Sequence, residues 1–182
     1  MSDIRVRPKA LVFLDFDGVV HDRFDPPYFI PAHLSLIDNV LRDFPGVGVV
    51  ISSHWRLNGS LDTLRQALGP IGERVIGQTP KLNYRRRFDE VKKYLTDTGY
   101  EDIPWVAIDD QADLFPLDAP LVLTDGYGMT PEFAGELRAA LKEMMRAGTN
   151  TNVNRCIRQL YEHPGPKLPF EALFERDEDE CE

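Results

Sequence analysis

The chain is poor in everything that would staple it from outside a core. Its two cysteines, Cys156 and Cys181, both fall near the C-terminal end and have no metal-ligand spacing. That excludes a disulfide framework and fits a reducing, cytoplasmic setting. Long apolar runs are also missing, since the longest are of strand length, so no membrane-spanning segment is expected. Met1 to Lys9 is polar and of mixed charge, without the apolar middle of a secretory signal. Basic residues are in deficit, with 21 Lys and Arg against 30 Asp and Glu, a net charge of −9. Such a field repels nucleic acid and anionic lipid at a distance and leaves only a local basic patch to act at short range. There is no internal repeat and no long linker. What remains is an ordinary globular composition, 42% hydrophobic over 182 residues, enough for one self-supporting core.

The apolar residues are arranged in alternating periods. Ala10 to Leu14 is a continuous run of strand length, and Leu34, Ile37, Val40, Leu41 and Phe44 recur at helical spacing before Pro45 and Gly46 end the pattern. Val47 to Ile51 is a second strand, followed by one helical stripe of Leu57, Leu61, Leu64 and Leu68 closed by Gly69 and Pro70. Arg74 to Ile76 suggests a short edge strand. A helix through Phe88, Val91 and Leu95 stops near Gly99. Trp105 to Ile108 and Leu121 to Leu123 are strands, and Phe133, Leu137, Leu141, Met144 and Met145 mark the last helix as a core-packing stripe. Strands that are apolar on both faces and alternate with helices imply a parallel sheet covered on both sides, a three-layer α/β domain over residues 1–148. After Gly148 the composition turns to Thr, Asn and Pro and then to acid, so residues 149–182 are expected to form a partly flexible appendage with an acidic tail.

Three of the expected strands end in residues that carry chemistry. The first runs into Asp15-Phe16-Asp17-Gly18, the second into Ser52-Ser53-His54-Trp55-Arg56, and the fourth into Asp109-Asp110, with Asp113 a turn later. In open parallel sheets the loops at the carboxyl ends converge on one crevice. Carboxylates gathered there repel one another unless a cation sits among them, and hard oxygen ligands select Mg²⁺. The same residues have plainer readings. DFDG could open a calcium loop, but the twelfth position holds Pro26 instead of a bidentate acid. Ser52 and Ser53 alone would be a strand exit or cap, His54 and Trp55 packing residues, and Arg56 a surface residue as readily as a substrate contact. Asp110 and Asp113 could cap the next helix. Arg85, Arg86 and Arg87 with Lys92 and Lys93 could be a solvated helix face. His21 and His33 have no partner spacing.

Taken together and in order, FLDFDGVVH, ISSHWR, RFDEV and WVAIDD resemble the haloacid dehalogenase (HAD) superfamily of phosphatases and phosphotransferases. More narrowly, they are similar to the HAD domain of Swiss-army-knife RNA-repair proteins. The resemblance spans residues 10 to 124 and implies a Rossmann-like HAD fold, with residues 1–148 as the catalytic domain. It also implies roles. Asp15 would be the nucleophile that forms an aspartyl-phosphate. Asp17 would be the general acid and base, with its carbonyl also a metal ligand. Gly18 would allow the sharp turn between them and the pocket. Ser52 would hold phosphoryl oxygens, with Ser53 and Arg56 adding substrate contacts. Mg²⁺ would be bound by Asp15, Asp17, Asp109 and Asp110. A basic side chain must hold the nucleophile and the phosphoryl charge; Arg87, which opens RFDEV, is favoured over Lys81 in TPKLN.

The gaps between these segments are too short for a full cap domain. A site without a lid suits a substrate large enough to cover it, or a small aromatic flap formed by Phe24, Pro26, Pro27, Tyr28 and Phe29 over a base. The expected activity is Mg²⁺-dependent hydrolysis of a phosphomonoester on a nucleotide or a phosphorylated nucleic-acid end, with a phosphoprotein phosphatase or a non-catalytic binding module as alternatives. Nothing in the chain sets an oligomeric state.

Overall fold

Five apolar residues in a row, ALVFL, leave no polar edge for water, and in the computed structural model they form the central strand β1 (Ala10–Leu14), every residue of it buried. The structure describes residues 7–22, 29–83 and 86–148. Strands β2 (Val47–Ile51), β3 (Val75–Gln78), β4 (Trp105–Asp109) and β5 (Leu121–Leu123) complete one sheet in the order β3-β2-β1-β4-β5, with all neighbours parallel. Successive side chains of a strand point to opposite faces. Ala10, Val12 and Leu14 therefore join a core with helices α1 (Pro31–Arg42), α2 (Leu61–Ala67) and α4 (Pro131–Ala147), whereas Leu11 and Phe13 pack under α3 (Arg87–Thr98). Phe13 meets Tyr94 and Trp105 edge to face, with centroids 5.8 and 5.5 Å apart. This is the three-layer α/β architecture expected from the alternating pattern, a parallel sheet in Rossmann-like order.

Two elements differ from the sequence reading. The stripe from Leu57 to Leu68 is not one helix: a 3₁₀ turn, His54–Leu57, stops at Asn58 and Gly59, and α2 starts afresh with the Ser60 hydroxyl accepting from Thr63 N. Leu57 is consequently 42% exposed. Side-chain capping by Ser60 wins over the leucine periodicity because the orphan N–H groups of a new helix need an acceptor. The edge strand is shifted to Val75–Gln78, where it pairs with β2 across a register irregularity at Val49 and Val50. Between β2 and β3 stand only the turn, α2 and a 3₁₀ segment, Gly69–Arg74. Phe24, Pro26, Pro27 and Tyr28 of the expected flap, Arg85, and residues 149–182 with both cysteines lie outside the described residues. No described helix is long and apolar enough to cross a membrane.

The connectivity places the crevice. From β1 the chain adds β2 and β3 on one side, then returns to place β4 and β5 on the other. Strand order thus reverses at β1, and the carboxyl ends of β1, β2 and β4 surround the point where the loops part.

Candidate active site

Asp15 follows β1 directly, and its backbone N–H donates to Ile108 O of β4 at 3.0 Å. Asp109 is the last residue of β4. Both are 0% exposed. Asp15, Asp109 and Asp110 each offer a carboxylate oxygen within 4.8 Å of the others. At that separation each pair of charges repels by roughly 3 kcal/mol at an effective dielectric near 20. Burial, and then the charge on Asp15, push the Asp109 carboxyl up to about 7, against the pull of Arg87 and of the Gln111 N–H. Such a cluster folds only with positive charge nearby.

Arg87 supplies one such charge. It is the first residue of α3, whose start is fixed by Asp89 Oδ2 accepting from Arg86 N at 3.2 Å. One turn of the helix turns Arg87, Glu90 and Val91 to the same buried face. Arg87 Nη1 lies 2.6 Å from Asp15 Oδ2 and also pairs with Asp109 Oδ2. Burial works against its charge, but Asp15 and Asp109 outweigh that and hold the guanidinium above its ordinary pKa. Its Nη2 donates to His54 Nδ1 at 3.2 Å. One guanidinium still answers only one of three carboxylate charges, and Asp15 Oδ1 is fully buried without a hydrogen-bond partner. An oxygen-only donor set with surplus negative charge and an unpaired ligand oxygen fits a hard divalent cation such as Mg²⁺. Among the described residues Lys81 makes no ion pair with these carboxylates: it is exposed and, with Arg87, His54, Leu82, Asn83 and Leu114, lines a cavity of about 410 Å³.

The Asp17 carboxylate is not part of this cluster; the metal ligand expected from Asp17 is its backbone carbonyl, which the side chain's direction leaves untouched. Its carboxylate is turned the other way, with Oδ1 2.9 Å from His21 Nε2 and accepting from Trp55 Nε1 at 3.1 Å. The turn that permits this is tight: Phe16 O accepts from Val19, Val20 and His21 N, so His21 comes back over Asp17. Gly18 has φ 67°, the left-handed region that favours glycine, and a Cβ there would overlap the Asp110 side chain, 2.7 Å from its Cγ. Thr124 Oγ1 donates to Gly18 O at 2.7 Å and ties the turn to the end of β5.

Ser52 N donates to Leu14 O, which carries the serine to the end of β1, and its hydroxyl is buried without a partner. Ser53, fully buried, caps the 3₁₀ turn by accepting from Trp55 N at 3.4 Å. Arg56, expected to touch substrate, does not have a free guanidinium. It donates to Ser52 O, Ser53 O, Thr79 O and Pro80 O at 2.7 to 3.3 Å and pairs with Glu90 Oε2 at 2.6 Å. Glu90 Oε1 in turn accepts from Leu82 N at 3.0 Å. The reason is topological: the turn after β2 points Arg56 under the loop leaving β3, so its guanidinium meets the Ser52 and Ser53 carbonyls of that turn and the Thr79 and Pro80 carbonyls of that loop. Burial lowers its pKa and Glu90 offsets part of that. Arg56 is thus a brace that joins the ends of β2 and β3 to α3.

Sequence reasoning missed His21, His54 and Trp55 as site residues. The i,i+4 spacing of Asp17 and His21 was the available signal for the first. Residues 11–134 match the family model described as the HAD domain in Swiss Army Knife RNA repair proteins. No curated protein matches the chain. With that match over most of its length, and with this fold beneath it, the chain belongs to the family of HAD domains in Swiss Army Knife RNA repair proteins.

Proposed function

We propose that the chain is a Mg²⁺-dependent phosphomonoester hydrolase that works through a phosphorylated Asp15. The observation that carries this reading is the buried Asp15, Asp109 and Asp110 cluster, with one Asp15 oxygen paired to Arg87 and the other without a hydrogen bond. An Asp15 oxygen attacks phosphorus and forms the new P–O bond while the ester P–O bond breaks. Asp17 gives its proton to the departing alkoxide. It then takes a proton from water as that water attacks the phosphoryl group, which releases inorganic phosphate and restores Asp15. Arg87 holds Asp15 against rotation and neutralises it, so that an anionic substrate can approach. Ser52 Oγ, buried and without a partner, donates to a phosphoryl oxygen, and the Ser53 N–H adds a second donor. A Mg²⁺ held by Asp15, Asp109 and Asp110 would neutralise the phosphoryl oxygens and let two anions meet.

The family, and the lack of any large insertion over the site among the described residues, support a substrate that is a nucleotide or a phosphorylated nucleic-acid end. The cavity beside Arg87 has room for the group that carries the phosphate. Phosphate release from p-nitrophenyl phosphate, with and without EDTA, tests the activity, and metal-dependent release is expected. Its absence would favour a binding module instead. A panel of mononucleotides, 3′- and 5′-phosphorylated oligonucleotides and a phosphopeptide tests the substrate; preference for the phosphopeptide would overturn the nucleic-acid reading.

A further inference from the structure

We infer that His21 and Trp55 are positioning residues for proton transfer, holding Asp17 Oδ1 so that Oδ2 is the oxygen presented to the leaving group. The inference rests on the phosphatase reading above. Indole Nε1 can only donate, so Asp17 Oδ1, 3.1 Å away, is committed as its acceptor. The hydrogen to be handed to a departing alkoxide then has to travel on Oδ2. The same oxygen has a second contact, His21 Nε2 at 2.9 Å, so both rings bear on Oδ1 and neither on Oδ2. Neither ring is free to swing. His21 Nδ1 lies 2.7 Å from the Asp22 carbonyl oxygen, and the His21 side chain is only 4% exposed. Phe29 lies 5.3 Å from the Trp55 ring and stacks on His21 at 6.4 Å, and Phe16 packs edge to face on Phe29 and Trp55 at 5.0 and 5.9 Å. The Asp17 side chain, by contrast, remains 35% exposed, so the oxygen these rings do not hold has a way to the substrate. The two anchors come from neighbouring turns, His21 from the turn after β1 and Trp55 from the turn after β2, and their ring centroids are 5.2 Å apart.

A positioned general acid matters most when the leaving group is a poor one, because a good leaving group departs without its proton. The test is therefore the ratio of kcat/KM for p-nitrophenyl phosphate to that for an alkyl phosphate such as a nucleoside 3′-phosphate. The parameter kcat/KM stops at formation of the phosphorylated enzyme, so the later hydrolysis does not enter it. His21→Ala and Trp55→Phe are each expected to raise this ratio by about tenfold or more, a part of the 10²–10⁴ that acid catalysis supplies. Trp55→Phe keeps an aromatic ring in the cluster while it removes the N–H, so it stands if His21→Ala fails to fold. His21→Gln, whose amide can donate to Oδ1, should recover part of the loss. Equal losses on both substrates, or an unchanged ratio, in Trp55→Phe would overturn the inference. Absence of turnover by the unaltered protein on either substrate would sink the phosphatase reading, and this one with it.

Discussion

Asp15 and Asp17 leave the same strand two residues apart, yet they stand in opposite surroundings. Asp15 is 0% exposed, packed between Arg87 and two further carboxylates, whereas the Asp17 side chain is 35% exposed and held by an imidazole and an indole. The first side of the site is dry and crowded with charge. The second is half-open and contains two ring nitrogens, one of them the Trp55 donor. Two carboxylates can serve different chemistry only if their environments separate them, and here the separation is built from which strand end each one faces. Asp15 faces β4 and α3, while the tight turn through Gly18 swings Asp17 toward the exit of β2.

The comparison can be broken at either acid. Asp15→Asn should abolish turnover, by on the order of 10⁴-fold or more, because an amide cannot take the phosphoryl group. Steady-state hydrolysis of p-nitrophenyl phosphate measures it, and activity within tenfold of the parent would place the nucleophile elsewhere. Asp17→Asn should cost less, about 10²-fold on an alkyl phosphate, and should still allow Asp15 to be phosphorylated by an aryl phosphate. Equal losses on the two substrates would mean the acids are not separated as described.

The dry side makes a further claim that the half-open side does not. A cation that binds only the folded state at a hundredfold excess over its dissociation constant stabilises by about 2.7 kcal/mol. Thermal melting should therefore show Mg²⁺ raising the midpoint of the parent and failing to raise that of Asp110→Asn, while Asp17→Asn keeps the rise. The smallest effect belongs to Lys81→Ala, which should change kcat on p-nitrophenyl phosphate by less than about threefold, since Lys81 only lines the cavity and Arg87 already pairs with Asp15. If Arg87→Ala were the mild variant and Lys81→Ala the crippling one, the assignment of the basic group would be reversed.

The sequence carried the sheet and the acids well, for a physical reason. Strands buried on both faces must be apolar throughout, so Ala10–Leu14, Val47–Ile51 and Trp105–Ile108 stand out, and the hydrophilic residues that end them are visible at once. What was not legible depends on distant partners. Arg56 reads as a surface cation until the fold places the carbonyls of Thr79 and Pro80 and the carboxylate of Glu90 around it. Trp55 reads as packing until its indole N–H is seen against Asp17, 38 residues earlier. The break in the leucine stripe at Asn58 and Gly59 follows from a local capping choice that periodicity does not record. Side-chain pairing across loops has no sequence period, and that is the information the fold adds.

The central claim is that Asp15 carries the phosphoryl group during turnover in a metal-dependent way. It is tested most directly by quenching the protein in acid during hydrolysis of p-nitrophenyl phosphate and locating the adduct by mass spectrometry. The account expects one phosphoryl group on the peptide that contains Asp15, absent with EDTA and absent in Asp15→Asn. Metal-dependent phosphate release in Asp15→Asn at the parent rate, or a phosphoryl group on a different residue, would contradict it.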